Sequence, residues 1–203
     1  MELIVVTPPG YFEGEGALIN AIFAAGLPLL HLRKPGNDLK QFRKLMNEIH
    51  PSNYPCIAIH QHHELAEEFM LKRLHFTGQA RKEMLAGEGE ELVKQGFVLS
   101  SSIHTLNDLA ELANLDYVFF GPVFNSISKV GYQSALEADF VFPPHGIKVF
   151  AIGGVIADQL PALKRMNFDG AAVLGSVWQQ DIPPLKAVKN LLSAINKIEN
   201  ENR

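Results

Sequence analysis

The chain of 203 residues has one cysteine, so no disulfide can close within it. Cys56 lies in an apolar run and reads as a small buried hydrophobe in a reducing, cytoplasmic setting. No apolar run approaches the ~18 residues that span a bilayer, which argues against a membrane protein. The opening residues MELIVVTPPG lack a basic n-region and read as a strand, not a signal peptide. Positive charge is not in excess. Eighteen Lys and Arg face 22 Asp and Glu, the basic residues are scattered, and a nucleic-acid partner is not expected. No G-x-G-x-x-G follows the first strand, where Thr7-Pro8-Pro9-Gly10 stands instead, so the dinucleotide fingerprint is missing. The single tryptophan, Trp178, is read as a packing residue.

What is present is a folded, globular composition, 47% hydrophobic and 20% charged, long enough for one domain spanning 1–203. Short apolar runs recur at Leu3–Thr7, Leu29–Arg33, Cys56–His60, Leu74–Thr77, Phe97–Ser101, Tyr117–Phe120, Val149–Ile152 and Ala171–Leu174. They lack polar alternation, as expected of parallel strands buried on both faces. Helical patterns lie between them. Asp38–His50 carries an Asn37/Asp38 cap signal and one apolar face, Gly14–Ala25 ends at Gly26, and Thr105 with Asp108 resembles a capping box opening Leu106–Ala113. A final helix starts at Pro183-Pro184 and runs to about Glu199, and Gly87 and Gly89 break the segment Gln79–Gln95. Eight alternating repeats fit a closed (β/α)8 TIM barrel or an open doubly wound sheet; the repeat count and the missing fingerprint favour the barrel.

In such barrels the active site lies at the C-terminal ends of the strands. Those ends supply His31, Arg33 and Lys34, then His60 and Gln61, then His75 and Thr77, then Ser102 and His104. Past strand six, Ser126, Ser128 and Lys129 offer two hydroxyls and an ammonium that can converge on a phosphate. Gly153-Gly154 and Gly175-Ser176 follow strands seven and eight, where barrels often hold a phosphate on backbone N–H groups. His60-x-His62 with His75 has metal-ligand character, but no Cys or carboxylate set accompanies it. The reading is therefore no metal site, with His62 and His63 solvated at a helix start. Arg33 has a second reading as one half of an ion pair at the barrel mouth.

These residues resemble the thiamin phosphate synthase and thiazole tautomerase family. Ser102-Ile103-His104-Thr105 resembles the family's S-V-H-T, and Gly121–Lys129 (GPVFNSISK) resembles G-P-V-F-P-T-P-T-K. Ala151-Ile152-Gly153-Gly154-Val155 is similar to A-I-G-G-I. The resemblance implies a small phosphorylated thiazole as substrate, with Ser126, Ser128, Lys129, Gly153, Gly154, Gly175 and Ser176 around its phosphate. It also implies a homodimer, the state the family often adopts.

The first half departs from the family pattern. His31-Leu32-Arg33-Lys34-Pro35 is similar to Q-L-R-x-K, with Arg33 matched, Pro35 in place of the second basic residue, and Lys34 next to it. His60-Gln61 stands for the family's N-D, and Arg81 for the Asp of H-x-G-Q-x-D. Mg²⁺ is the cofactor the resemblance implies, yet both its carboxylates are replaced. The implied activity is thiamin phosphate synthesis, from hydroxyethylthiazole phosphate and hydroxymethylpyrimidine diphosphate with release of pyrophosphate. The alternatives are a thiazole tautomerase, whose own His stands where this chain has Pro122, and a barrel that binds a phosphate ligand without turnover. The catalytic candidates are His31, Arg33, His60 and His104; Lys34, Gln61, His75 and Ser102 are the substrate-binding ones.

Overall fold

The computed structural model describes residues 1–36, 38–112, 114–124, 136, 139–179 and 181–200. Eight parallel strands close into a barrel in chain order, β8 pairing with β1. They are β1 Glu2–Val6, β2 Leu29–Leu32, β3 Ile57–Ile59, β4 Arg73–Phe76, β5 Val98–Ile103, β6 Tyr117–Phe120, β7 Lys148–Ile152 and β8 Gly170–Val173. The expected runs match them within one or two residues. Two ends differ in a way that matters: β3 stops at Ile59, leaving His60 just beyond the strand, and β5 runs on to Ile103, keeping Ser102 inside it.

Around the barrel lie α1 Glu15–Ala24, α2 Leu39–Glu48, α3 Gly78–Ala86, α4 Gly89–Lys94, α5 Leu160–Arg165, α6 Gly175–Trp178 and α7 Pro184–Asn200. The Asp38 carboxylate accepts from the Gln41 N–H at 3.0 Å and caps α2 as expected. Asn37 and the residues at 125–135, which include Ser126, Ser128 and Lys129, lie outside the described residues. After β5 the expected helix is a 3-10 segment, Leu106–Glu111, whose Asp108 carboxylate accepts from the Thr105 N–H at 3.1 Å. Cys56 is only half-buried, at the end of a 3-10 turn, because β3 begins one residue later.

The pairing register sorts side chains into two groups. One points out to the helices and forms the main core, with Leu30, Leu32, Ile57, Ile59, Leu99, Val118 and Val149 among its members. The other points into the barrel. Starting from Ile4 and Val6, which sit inside with Phe119, Phe150 and Ala172, the register carries the inward face to His31, Ala58, Arg73, His75, Ser100, Ser102 and Tyr117. Three titratable rings and two hydroxyls therefore occupy positions that many barrels fill with aliphatic side chains.

Candidate active site

β2 and β4 deliver His31 and His75 to the barrel interior, where they are 0% and 2% exposed, and the turn after β3 brings His60 over them. His31 Nδ1 lies 2.9 Å from His60 Nε2, and its other nitrogen, Nε2, lies 2.8 Å from the Tyr117 hydroxyl. His75 stacks on His60 with ring centroids 4.0 Å apart, and both rings meet His31 edge-on at 5.1 Å. The hydroxyls of Ser100 and Ser102 lie 2.9 and 3.1 Å from the two His75 nitrogens, and Phe119 closes the far side, 4.6 Å from the His31 ring.

Burial decides the protonation state. Removing these rings from water holds His31 and His60 well below the usual imidazole range, and the charge each neighbouring ring would carry adds to the effect. His75 is lowered by burial, and then by the charges of His63 and Arg33, to about 3. Burial pushes the Tyr117 hydroxyl up to about 12. The cluster is thus neutral near pH 7: each imidazole offers one N–H and one lone pair.

The basic residues divide. Arg33 is half-buried, has no carboxylate within ion-pair distance among the described residues, and is close enough to act electrostatically on His60 and His75. The ion-pair reading of Arg33 therefore finds no partner there. Lys34 departs from its substrate-binding expectation. Its ammonium is 0% exposed and donates to Glu15 at 2.6 Å and to the Pro8 and Gly10 carbonyls at 2.9 and 2.7 Å. All three N–H groups are taken, so Lys34 clamps the β1–α1 loop to β2 and has no donor left for a ligand. Burial pushes both partners toward neutrality, Lys34 down and Glu15 up, and their contact opposes it. The Gln61 side-chain oxygen is engaged as well, accepting from the Lys34 N–H at 2.7 Å. Arg81 donates to the Ser102 carbonyl at 3.2 Å and to Asp108 at 3.3 Å. Burial alone would raise the Asp108 carboxyl, but hydrogen bonds from Thr105 and His104 and the charge of Arg81 outweigh it and hold the group low.

His62 and His63 are half-buried, not free in solvent at a helix start. The His62 side chain is 6% exposed, packed edge-on to Phe42, and the His63 ring donates from Nε2 to the Ile59 carbonyl at 3.1 Å. The ring that joins His60 and His75 is His31, not His62. Beside His60 and Gln61 opens a cleft of about 700 Å³, walled by Phe76, Met84, Glu83 and Glu88.

The other half of the rim is stitched by backbone. Past β6, the Val123 N–H donates to the Ile152 carbonyl and the Phe124 N–H to the Gly153 carbonyl, both at 3.0 Å, tying the Gly121–Phe124 segment to the Gly153-Gly154 turn. The approach is possible only for glycine. A Cβ on Gly121 would stand 2.0 Å from the Ile152 oxygen, and one on Gly153, whose φ is +94°, would meet Pro122 at 2.8 Å. His104 donates from Nδ1 to the Gly121 carbonyl at 2.7 Å, which leaves Nε2 as its lone pair, on an exposed ring away from the histidine cluster. Gly175 opens α6 directly after β8, and the buried Ser176 hydroxyl has no hydrogen-bond partner among the described residues.

The Mg²⁺ that the family resemblance implies does not fit these donors. Among the described residues the convergent group is three imidazoles, Asp108 is held by Arg81, and Mg²⁺ takes oxygen ligands. Tyr117, Ser100 and Asp108 were not among the candidates read from sequence. Strand parity would have found the first two, since Ser100 pairs with His75 and Tyr117 with Ser100 across adjacent strands.

Comparison with known proteins agrees with this architecture. The model of a family described as thiamine monophosphate synthase matches residues 3–177. A thiamine-phosphate synthase of Bacteroides fragilis is 28% identical over 152 residues, 68% of this chain and 70% of its own. Another, of a Synechococcus species, is 26% identical over 204 residues, 95% of this chain and 56% of its own. The crystal structure of thiamine phosphate pyrophosphorylase from Bacteroides thetaiotaomicron superposes with a TM-score of 0.73 at 26% identity, covering both chains fully. That of Pyrococcus furiosus, at 15% identity and a TM-score of 0.71, shares the fold.

Proposed function

The chain belongs to the thiamine monophosphate synthase family, and on that premise we propose that it makes thiamin phosphate. In this reading it joins hydroxyethylthiazole phosphate to hydroxymethylpyrimidine diphosphate and releases pyrophosphate. The observation that carries the proposal is the stitched rim, where the segments following β6 and β7 share two backbone hydrogen bonds and Gly175-Ser176 follows the next strand. A phosphate seated there would take backbone N–H groups, satisfy the buried Ser176 hydroxyl, and draw on Ser126, Ser128 and Lys129 from the adjoining sequence.

In this proposal the two halves of the mouth divide the work. The β6–β8 side anchors the thiazole phosphate, and Arg33, with no carboxylate within ion-pair distance among the described residues, faces the diphosphate as a cation. Pyrophosphate departs with the electron pair of the bond it leaves, so positive charge poised on its oxygens lowers the barrier.

Incubating the purified protein with both substrates, with and without Mg²⁺, and following thiamin phosphate by chromatography tests the proposal. Product is expected; its absence under both conditions refutes the synthase reading. The neutral histidine cluster, with no carboxylate among its members, favours a second reading, the thiazole tautomerase, which needs proton transfer and no departing diphosphate. Conversion of the thiazole carboxylate phosphate tautomer without any thiamin phosphate would select it. Saturable thiazole phosphate binding with neither reaction would leave a non-catalytic binding barrel.

A further inference from the structure

Three imidazoles from the ends of three consecutive strands meet inside the barrel mouth, and each offers one ring nitrogen within 4.8 Å of the others. We propose that His31, His60 and His75 form a site for a divalent cation of the Zn²⁺ class, with a fourth position open toward the mouth. Nothing in thiamin phosphate synthesis requires such a cation, and the site stands whichever substrate the barrel takes.

The hydrogen bonds around the cluster already orient the rings as ligands. The Ser100 hydroxyl donates to the Leu74 carbonyl at 3.3 Å, so toward His75 it accepts, and His75 carries its proton on Nδ1. Its Nε2 is then a bare lone pair on the side of Ser102, two residues nearer the mouth than Ser100. His31 turns Nδ1 to His60 and Nε2 to Tyr117, so a proton on Nε2 donated to the Tyr117 oxygen frees Nδ1. Outer partners on the far nitrogens of ligating histidines are what orient rings in metal sites. Because the rings are neutral, the cation displaces no proton into solvent; the one between His31 and His60 moves to the far nitrogen of its own ring.

The geometry needs little adjustment. Tetrahedral Zn²⁺ with nitrogen ligands at ~2.0–2.1 Å sets neighbouring nitrogens about 3.3 Å apart. The His31–His60 pair at 2.9 Å opens by about 0.4 Å to reach that spacing. The widest pair, at most 4.8 Å, closes by at most about 1.5 Å as the stacked His60 and His75 rings splay. Two neutral hydrogen bonds, His31–His60 and Ser102–His75, are exchanged for metal–nitrogen bonds. Nitrogen donors select the Zn²⁺ class over Mg²⁺. His60 is the member of the three that lines the 700 Å³ cleft and is not fully buried. The Arg33 charge opposes the site, and the open position suits an anionic oxygen that would offset it.

The test uses the full chain without an affinity tag, stripped with EDTA and freed of chelator. It is titrated with Co²⁺ by visible absorbance and with Zn²⁺ against a chromophoric chelator. One equivalent is expected, with the intense visible band of four-coordinate Co²⁺, undiminished by excess Mg²⁺. Tyr117→Phe, which keeps all three rings, should weaken Zn²⁺ binding by about 10–100-fold, the range for loss of an outer partner. His60→Gln should weaken it by more than ~100-fold with the far-ultraviolet dichroism unchanged, while His50→Gln, outside the cluster, should not alter it. Absence of saturable Co²⁺ and Zn²⁺ binding to the wild-type chain overturns the proposal, as does a folded His60→Gln variant with wild-type affinity. Should that variant fail to fold, the wild-type titration and Tyr117→Phe decide.

Discussion

Lowering the pH from 7.5 to 5.5 should destabilise this protein far more than a barrel without buried histidines. His31 and His75 are 0% and 2% exposed and are held neutral, His75 down to about 3, whereas an unfolded histidine takes up a proton near pH 6.5. Below pH 6.5 the unfolded chain therefore binds protons that the folded one does not, and stability falls as pH falls through that window. At pH 5.5, one unit below the unfolded value, each histidine contributes about 1.4 kcal/mol of loss, so the pair contributes about 2.8 kcal/mol. His60 and His63, also lowered by burial, act in the same direction. That loss is a large share of the ~5–15 kcal/mol that holds most domains together. With a urea slope of about 2–3 kcal/mol per M the unfolding midpoint should drop by about 1 M, measurable by tryptophan fluorescence or dichroism. The comparison stays above the pH at which most carboxylates titrate. A midpoint that moves by less than about 0.3 M would mean the folded cluster is protonated or solvated, and the electrostatic description of the site would be wrong.

Lys34→Met should cost about 3–5 kcal/mol, because the Glu15 carboxylate is left buried without its ammonium; adding Glu15→Gln should recover most of the loss in the same urea titration. Gly121→Ala should destabilise by about 1–3 kcal/mol or more, since the new Cβ would lie 2.0 Å from the Ile152 oxygen; a thermal midpoint equal to wild type would contradict the stitched rim. Lys129→Ala should weaken binding of a phosphorylated thiazole by about 1–3 kcal/mol in calorimetry, and an unchanged dissociation constant would remove Lys129 from the phosphate site.

The architecture was readable from the chain because short, mostly apolar runs recur between helical patterns, so both the count of eight and the parallel sheet follow from that recurrence. The capping of α2 by Asp38 and the stop at Gly26, with φ +95°, were legible for the same reason: the signals are local. What depends on closure was not. His31, His60 and His75 each stood out, but their convergence is set by the register across three strands, and adjacency in sequence pointed to His62 instead. Tyr117 and Ser100 begin or occupy strands that read as core, although they share parity with His75. The clamp on Lys34 comes from Glu15 in the first turn of α1, nineteen residues away, with nothing in the local pattern to announce it. Nor does the local pattern announce the burial of the His62 ring, which turns inward against Phe42.

Calorimetric titration of the purified protein with hydroxyethylthiazole phosphate and with the unphosphorylated alcohol bears most directly on the shared rim of β6, β7 and β8. The account predicts saturable binding of the phosphate, at least about tenfold tighter than the alcohol, as one charge-assisted contact would give. Equal affinities for the two, or no binding of either, would contradict it.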